Sequence, residues 1–401
     1  MTKSTILYCV SYFFFACHQN AEISQDKPPV QNSEAQTVEN QQIRMKKISE
    51  IYLKENEKAY IGTIEKIKVD ANRIYLMDKS LKQVLIFSMA GEFVRALGRS
   101  GEGPGEFRFL YTMDVKDHLI ACFDQGNRRM TLFDTSGVFI RSFGTQSQKS
   151  VPSGNRIAIT QHYTILHCQK PKGLPKKQWQ SYSYPYLICE FDTLGNVLSH
   201  HGKFNQQIVG DKLEKPLTEF KWSFPHFIAT RDSQTYLWFN NLPVVVEYDK
   251  RHSVSKVFNV ATPITKPKWV DKEAENDKEA EKYLSRKEKM NLAIQRIKNQ
   301  HYIVTFLMEI AYVDKYSLLL TLQTEEERRG LSLWTRSHHL SAYDVNTGYR
   351  LMIDMPLQPE PEASVMFQSI TVDADGFVYC IQNDQPDNFV IAKYEIIREE
   401  I

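Results

Sequence analysis

Two segments of the sequence repeat each other without gaps, and this internal repeat restricts the possible folds more than any other feature. Residues 74–98 read IYLMDKSLKQVLIFSMAGEFVRALG, and residues 120–144 read IACFDQGNRRMTLFDTSGVFIRSFG. Identical residues stand at six equivalent places, each pair 46 positions apart: Asp78 and Asp124, Phe87 and Phe133, Gly91 and Gly137, Phe93 and Phe139, Arg95 and Arg141, Gly98 and Gly144. A repeat of this length indicates supersecondary units that pack side by side.

Within each unit the pattern is that of short antiparallel strands. Ile74 and Leu76 alternate with other residues until Asp78, and a second alternating run ends shortly before Gly91. Glycine tolerates the positive φ of a tight hairpin turn, and period-2 runs bounded by Gly and Asp are typical of strands. Four such strands form one blade of a β-propeller, so the sequence predicts an all-β propeller with four-stranded antiparallel blades.

The hairpin recurs around residues 191, 248, 343 and 394, which brings the number of units to six. We therefore predict a six-bladed β-propeller over residues 46–401. Seven blades is the alternative, because segments 145–187 and 300–335 are irregular enough to contain further strands. The segment Ile48–Leu53 is predicted to pair with the last blade, which would close the ring and remove an exposed sheet edge.

Residues 270–300 interrupt the β pattern. This segment has no glycine or proline and is rich in Glu, Lys and Ala, the composition of a helix. It is predicted to be a helical insertion, either a solvated connection between two blades or an element that packs on the propeller.

The N-terminus reads as a targeting segment. Residues 1–17 combine Lys3 with an apolar stretch from Ile6 to Ala16, too short to span a bilayer. With Cys17 directly after Ala16, the segment resembles a bacterial lipoprotein signal. That resemblance implies lipidation of Cys17 and an outer-membrane anchor, facing the periplasm or the exterior; ordinary secretion is the alternative. Residues 18–45 are polar and predict a flexible tether.

Charge and cysteine content exclude some classes of function. Fifty basic residues stand against 48 acidic ones, a net charge of +2, and no basic field points to nucleic acid. Four cysteines lie beyond the N-terminal segment and show no CxxC spacing: Cys122, Cys168, Cys189 and Cys380. Buried free thiols are the expectation for them, with disulfides left open.

The run GRSGEGPGEF at residues 98–107 is similar to the connection between blades in NHL-type repeats. Together with the lipoprotein-like start, the chain resembles the six-bladed NHL-like propeller lipoproteins of Bacteroidetes. NHL-type families include binding proteins and some enzymes, so the resemblance implies the fold and does not select a function.

Four residues are candidates for a binding site. Asp78 and Asp124 end a strand in their blades, where each could bind a cation or cap the following turn. Asn127 and Arg128 follow in the same loop, and Arg128 could contact an acidic ligand or simply be solvated. The adjacent pairs His200-His201 and His338-His339 cannot chelate alone, because neighbours in a strand point to opposite faces. No metal ligand is assigned.

The function predicted from the sequence is a non-catalytic binding or scaffold module for protein or carbohydrate, without a cofactor. No catalytic residue is assigned, since neither GxSxG nor HExxH occurs. The alternative is a metal-dependent hydrolase or lyase of the lactonase type, with calcium or zinc in the channel of the propeller.

Overall fold

The computed structural model describes these residues: 41–55, 60–70, 72–146, 150–171, 187–212, 225–229, 234–239, 242, 244–249, 251–259, 301–312, 317–328, 333–344, 350–353, 356–357, 370–385 and 388–400. They all belong to one compact unit, Ser33–Ile401. The signal segment with Cys17, the tether up to residue 40 and the predicted helix at 270–300 lie outside the described residues, as does the second unit, Met1–Asn32.

The chain enters the described region with β1 (Gln41–Leu53) and then forms the two blades that the internal repeat predicts. The first blade consists of β2 (Ile64–Asp70), β3 (Arg73–Asp78), β4 (Gln83–Ser88) and β5 (Phe93–Leu97). The second consists of β6 (Leu110–Lys116), β7 (Leu119–Asp124), β8 (Arg129–Asp134) and β9 (Phe139–Gly144). Each is a four-stranded antiparallel sheet in chain order, as the alternating pattern predicts.

The third and fourth blades have the same topology with more variable connections. The third consists of β10 (Ser150–Ile159), β11 (Ile165–Pro171), β12 (Ile188–Phe191) and β13 (Val197–His201). The fourth consists of β14 (Pro225–Ala229), β15 (Thr235–Phe239), β16 (Val244–Tyr248) and β17 (Val254–Asn259). Between them lie a short helix, Gln206–Val209, and a 3-10 turn, Gly210–Lys212. Asn205 caps the helix by accepting the N–H of Ile208 at 3.1 Å.

The remaining strands form one nine-stranded sheet rather than two separate blades. They are β18 (His301–Tyr312), β19 (Ser317–Arg328), β20 (Leu333–Asp344), β21 (Arg350–Ile353), β22 (Pro356–Leu357), β23 (Ile370–Val372), β24 (Val378–Gln385) and β25 (Asn388–Glu400), together with β1. Within this sheet β21 pairs with β1 in parallel, through Gln42 with Met352 and Ile43 with Ile353.

This parallel pairing corrects the predicted number of blades. The described residues form five sheets, so the prediction of six separate blades was wrong, and the alternative of seven has no support among them. The reason is that the two units predicted around residues 343 and 394 share one hydrogen-bonded sheet through β1. No sequence repeat predicts such a junction, because it pairs strands that are far apart in the chain.

The two ends of the domain meet as predicted. β1 pairs antiparallel with β25 over most of its length, with Ile51 opposite Ile391 and Leu53 opposite Phe389. All four side chains are buried in a cluster with residues of the first blade, Ile74 and Leu85 among them. The predicted pairing of Ile48–Leu53 with the last strands is therefore confirmed.

The core lies between neighbouring sheets. Tyr75 and Ile86 of the first blade pack with Met113 and Ile120 of the second in one buried cluster. Similar clusters join the second blade to the third and the third to the fourth. The first strands of the four blades lie next to one another, and β18 and β23 of the nine-stranded sheet complete a closed order: β2, β6, β10, β14, β18, β23 and back to β2. Each of the first three blades thus buries both faces, which is the packing of a propeller.

The four cysteines of the domain are free and buried, each on a strand: Cys122, Cys168, Cys189 and Cys380. Burial raises the pKa of all four thiols, that of Cys189 to about 12. The expectation of buried free thiols is confirmed.

Candidate functional site

Asp78 lies buried at the end of β3 and is occupied by its own surroundings. Its Oδ1 accepts hydrogen bonds from Ser80 Oγ at 2.8 Å and from the N–H of Leu81 at 3.0 Å. Its Oδ2 accepts the N–H of Gly62 at 2.8 Å, in the segment that leads into β2. The carboxylate therefore caps the turn after β3 and joins it to the start of the blade.

Asp124 caps the equivalent turn of the second blade, and its carboxylate accepts more hydrogen bonds than that of Asp78. Its Oδ1 accepts the N–H groups of Phe109 at 2.9 Å and Gly126 at 3.0 Å. Its Oδ2 accepts the N–H of Arg108 at 3.0 Å and Nδ2 of Asn127 at 2.6 Å. Donors that already occupy both oxygens compete with any cation for the same lone pairs. The structure places Asp124 and Asn127 together, and Asp78 in the neighbouring blade.

Arg128 projects from the same loop and is exposed, with φ of 53°. The next residue, Arg129, has the larger structural role. Its guanidinium donates to the carbonyl oxygens of Glu102 at 2.9 Å, Gly103 at 2.6 Å and Glu106 at 2.7 Å. The glycine-rich run 98–107 is thereby held against the second blade as the connection between blades.

A different group of side chains has the composition of a metal site. Glu190 is on β12, His201 ends β13, and His252 lies in the turn between β16 and β17. One ligating atom from each can be chosen so that all three lie within 4.8 Å of one another. In the described part of the chain, this is the group of three that could hold an ion.

Hydrogen bonds orient the carboxylate of Glu190. Its Oε1 accepts from Thr164 Oγ1 at 2.5 Å, and its Oε2 accepts from Ser199 Oγ at 2.9 Å. His252 Nε2 lies 3.3 Å from Oε2 of the same carboxylate. Two hydroxyl groups and one imidazole therefore hold Glu190 in one position, an arrangement typical of the groups that surround metal ligands.

The two imidazole rings are stacked, and several of their nitrogens lack a hydrogen bond. The ring centroids of His201 and His252 are 3.6 Å apart at an interplanar angle of 14°. Nδ1 and Nε2 of His201 and Nδ1 of His252 are buried and make no hydrogen bond. His201 is only 6% exposed. A buried polar atom without a hydrogen bond destabilises the fold, and a ligand that binds these nitrogens would remove that cost.

The protonation states are set by the surroundings. Burial, and after it the neighbouring His252, lower the pKa of His201 to about 3, although Glu190 acts in the opposite direction. The hydrogen bond from His252 is the largest cause that lowers the pKa of Glu190, to about 2, although burial acts in the opposite direction. At neutral pH the site therefore presents a neutral imidazole and an ionised carboxylate, both of them able to bind a metal.

From the sequence, we considered His201 only as half of the pair His200-His201 and assigned no metal ligand. The structure brings His201, at the end of the fourth strand of the third blade, to His252, in the turn between the third and fourth strands of the fourth blade. His252 was missed, because nothing near it in sequence suggests a ligand. His338 and His339 lie on β20, and their side chains are outside the described residues.

The fold defines the chain as a β-propeller, built from antiparallel blades around a closed order of leading strands. Its sequence matches the model of a protein family over residues 27–309, and the chain belongs to that family, "Domain of unknown function (DUF4934)". No curated protein matches the sequence.

Solved structures share the fold at low sequence identity. A Bacteroides fragilis protein described as exported is 12% identical with a TM-score of 0.55, over 88% of this chain and 95% of that one. A DUF4221-family member from Bacteroides vulgatus is also 12% identical with a TM-score of 0.55, over 89% and 99%. The virginiamycin B lyase of Staphylococcus aureus is 8% identical, over 89% of this chain and all of its own. Its TM-score of 0.42 is too low for this likeness to carry an argument.

Among the described residues, no helix has the length and apolar character needed to cross a membrane.

Proposed function

We propose that this chain is a binding module of the cell envelope: a propeller anchored by lipid on Cys17 that presents its outer strands to a protein partner and performs no catalysis. The observation that carries the proposal is the concentration of exposed apolar side chains on the outermost strands. The proposal keeps the NHL-type assignment of the first two blades, supported by the run at residues 98–107.

The outer strands of the second and third blades have the features of a docking edge. Ile140 on β9 is 44% exposed and Leu198 on β13 is 53% exposed, and Val138 and Leu194 in the preceding turns are each 58% exposed. Both strands end their sheets in the described part of the chain. The unpaired backbone groups of such an edge can receive a further strand, and exposed apolar side chains favour association.

A protein partner suits this surface better than a carbohydrate. The exposed side chains are aliphatic, and aliphatic residues beside unpaired backbone groups are suited to an added peptide strand. Sugar recognition would call instead for polar groups at fixed positions. Of the two predicted kinds of partner, we therefore propose a protein.

Two features support a location outside the cytoplasm. The N-terminal segment ends in Ala16-Cys17 after an apolar stretch, the pattern of a lipoprotein signal. The Bacteroides fragilis protein of similar fold is described as exported.

Photo-crosslinking in cells tests the binding surface. A benzoylphenylalanine at Ile140 or Leu198 is expected to give a cross-linked product of defined mass with an envelope protein. The comparison position is Arg128, which is exposed on a loop between β7 and β8. Products at Arg128 and none at the two outer strands would contradict the proposal.

The anchor has its own test. Cys17→Ser is expected to abolish incorporation of labelled fatty acid and to move the protein from the membrane to the soluble fraction. Continued membrane association of the unlabelled variant would show that the lipid is not the anchor.

A further inference from the structure

The turns between the third and fourth strands of the blades share one design. In each of the first three blades a glycine donates its N–H to the carbonyl oxygen three residues earlier: Gly91 to Ser88, Gly137 to Asp134, Gly195 to Asp192. In the fourth blade the same hydrogen bond runs from His252 to Asp249, at 2.8 Å. His252 is therefore the counterpart of the three glycines.

Backbone conformation confirms the equivalence and makes the histidine unusual. The three glycines have φ of 78°, 87° and 92°, and His252 has φ of 60°. Side chains rarely adopt this left-handed region, and glycine does so without strain. Histidine enters this region more readily than most side chains, so a turn that elsewhere uses glycine can accept it here.

At this position each turn meets the last strand of the preceding blade. A Cβ atom on Gly137 would lie 2.7 Å from Leu97 Cδ2, and one on Gly195 would lie 2.6 Å from Phe143 Cγ. Leu97 and Phe143 each precede a glycine, Gly98 and Gly144, in the repeat. The corresponding residue of the third blade, before Gly202, is His201. The stacking of His252 on His201 thus replaces a contact between glycine and an apolar side chain.

Glu190 is the third replacement. On the third strand of the first two blades, the residue two before the turn-capping position is Ile86 or Leu132, and both are fully buried. The third blade has Glu190 there. The fourth blade also has a glutamate at this place, Glu247, so the feature particular to this junction is the meeting of Glu190 with two histidines. Each replacement alone would be ordinary variation, whereas a carboxylate and two imidazoles whose ligand atoms lie within 4.8 Å of one another form a candidate metal site.

We propose that Glu190, His201 and His252 bind one divalent transition-metal ion, for which zinc is the probe, and that this ion joins the third blade to the fourth. Two imidazoles and one carboxylate form a zinc ligand set that leaves a further coordination position open. Ligands of a tetrahedral zinc site lie about 3.3 Å apart. Binding one ion therefore requires the three groups to move closer together and one imidazole to turn out of the stack, so that both rings direct a nitrogen lone pair at the ion. The ion would occupy imidazole nitrogens that otherwise have no partner.

The inference is independent of the proposed binding function and is tested on the full-length protein by zinc content and thermal unfolding. After equilibration with zinc and dialysis, one ion per chain is expected, and zinc should raise the melting temperature. Calcium and magnesium should not, because histidine-containing sites favour transition metals over these hard cations.

His252→Gly is the decisive variant, because it restores the residue that three sister turns carry. It is expected to melt, without metal, at or above the temperature of the unchanged protein, and to bind zinc at least about 100-fold more weakly. His162→Gly is the matched control: it removes an exposed turn histidine and should leave zinc affinity unchanged.

Clear results would overturn the proposal. Failure of the unchanged protein to bind zinc, or equal zinc affinity in His252→Gly, would remove the metal site. An equal rise in melting temperature with calcium would show that the site does not prefer transition-metal ions. If His252→Gly failed to fold, His252→Asn would decide, because asparagine also tolerates the left-handed conformation.

Discussion

At the scale of single residues, Asp114 connects three blades near the axis. Its Oδ1 lies 3.0 Å from Lys68 Nζ, and its Oδ2 accepts the N–H of Ile159 at 2.8 Å. The three residues belong to β6, β2 and β10, the leading strands of consecutive blades. Burial acts to raise the pKa of Asp114, but Lys68, Lys66 and the Ile159 N–H together hold this pKa below its ordinary value.

Asp114→Asn is expected to destabilise the fold by about 3 kcal/mol at neutral pH, because it removes a buried carboxylate charge that faces the partly buried Lys68. Since the folded pKa is depressed, the carboxylate contributes stability above its unfolded pKa of about 3.9, and this contribution is lost as pH falls through the folded pKa. The difference between the two proteins should therefore shrink in acid. Urea unfolding between neutral and acidic pH measures it.

The control for Asp114 is an exposed ion pair of the first blade. Glu65 and Lys79 lie 3.0 Å apart with side chains 33% and 42% exposed. Glu65→Gln should cost less than about 1 kcal/mol. If Asp114→Asn cost no more than this control, the buried connection would not be a determinant of stability.

At the scale of elements, the turn between the third and fourth strands is the part of the blade that the repeat defines best. Gly195 has φ of 92°, and a Cβ atom there would lie 2.6 Å from Phe143 Cγ in the preceding blade. The glycine is needed for the turn and also for the close approach of two blades. Sequence alone indicates the requirement of the turn for glycine, and only the packing shows the close approach of the two blades.

Gly195→Ala is expected to destabilise the protein by about 2 kcal/mol, from left-handed strain and the displaced Phe143. Gly144 provides the comparison, because a Cβ atom there meets nothing within 4 Å. Gly144→Ala should change stability by no more than about 0.5 kcal/mol. Equal melting temperatures for the two alanine variants in calorimetry would refute the close-approach argument.

At the scale of the whole molecule, stability depends on the meeting of the chain ends. Ile51 on β1 is 7% exposed and packs with Phe389 and Ile391 of β25, and with the first blade. Tyr52, the next residue, is 56% exposed on the other side of the strand. Closure thus places one face of β1 in the core and leaves the other in solvent.

Ile51→Ala is therefore expected to cost about 2–4 kcal/mol, whereas Tyr52→Ala should cost less than about 1 kcal/mol. Chemical denaturation followed by far-ultraviolet circular dichroism compares the two variants. The loss at Ile51 should appear in a single transition of the whole domain. A separate early transition, with the main transition unchanged, would mean that β1 is an appendage and not part of the closed propeller.

The sequence by itself determined the local architecture. Strand alternation, the turn glycines and the 46-residue spacing of Asp78 and Asp124 depend on neighbours in the chain, and they predicted the blades and the hairpins. The pairing of the terminal strand was predicted from the general requirement that a ring of blades closes. The free, buried cysteines followed from the same strand pattern.

What depends on distant contacts was decided only by the tertiary structure. The parallel pairing of β1 with β21 merged two predicted blades, because it joins residues that are far apart in the chain. Likewise Glu190, His201 and His252 come from two blades, and each alone is an ordinary residue of its strand or turn. Only the packing of one blade on the next brings their ligand atoms within 4.8 Å, since no local pattern encodes the distance between units.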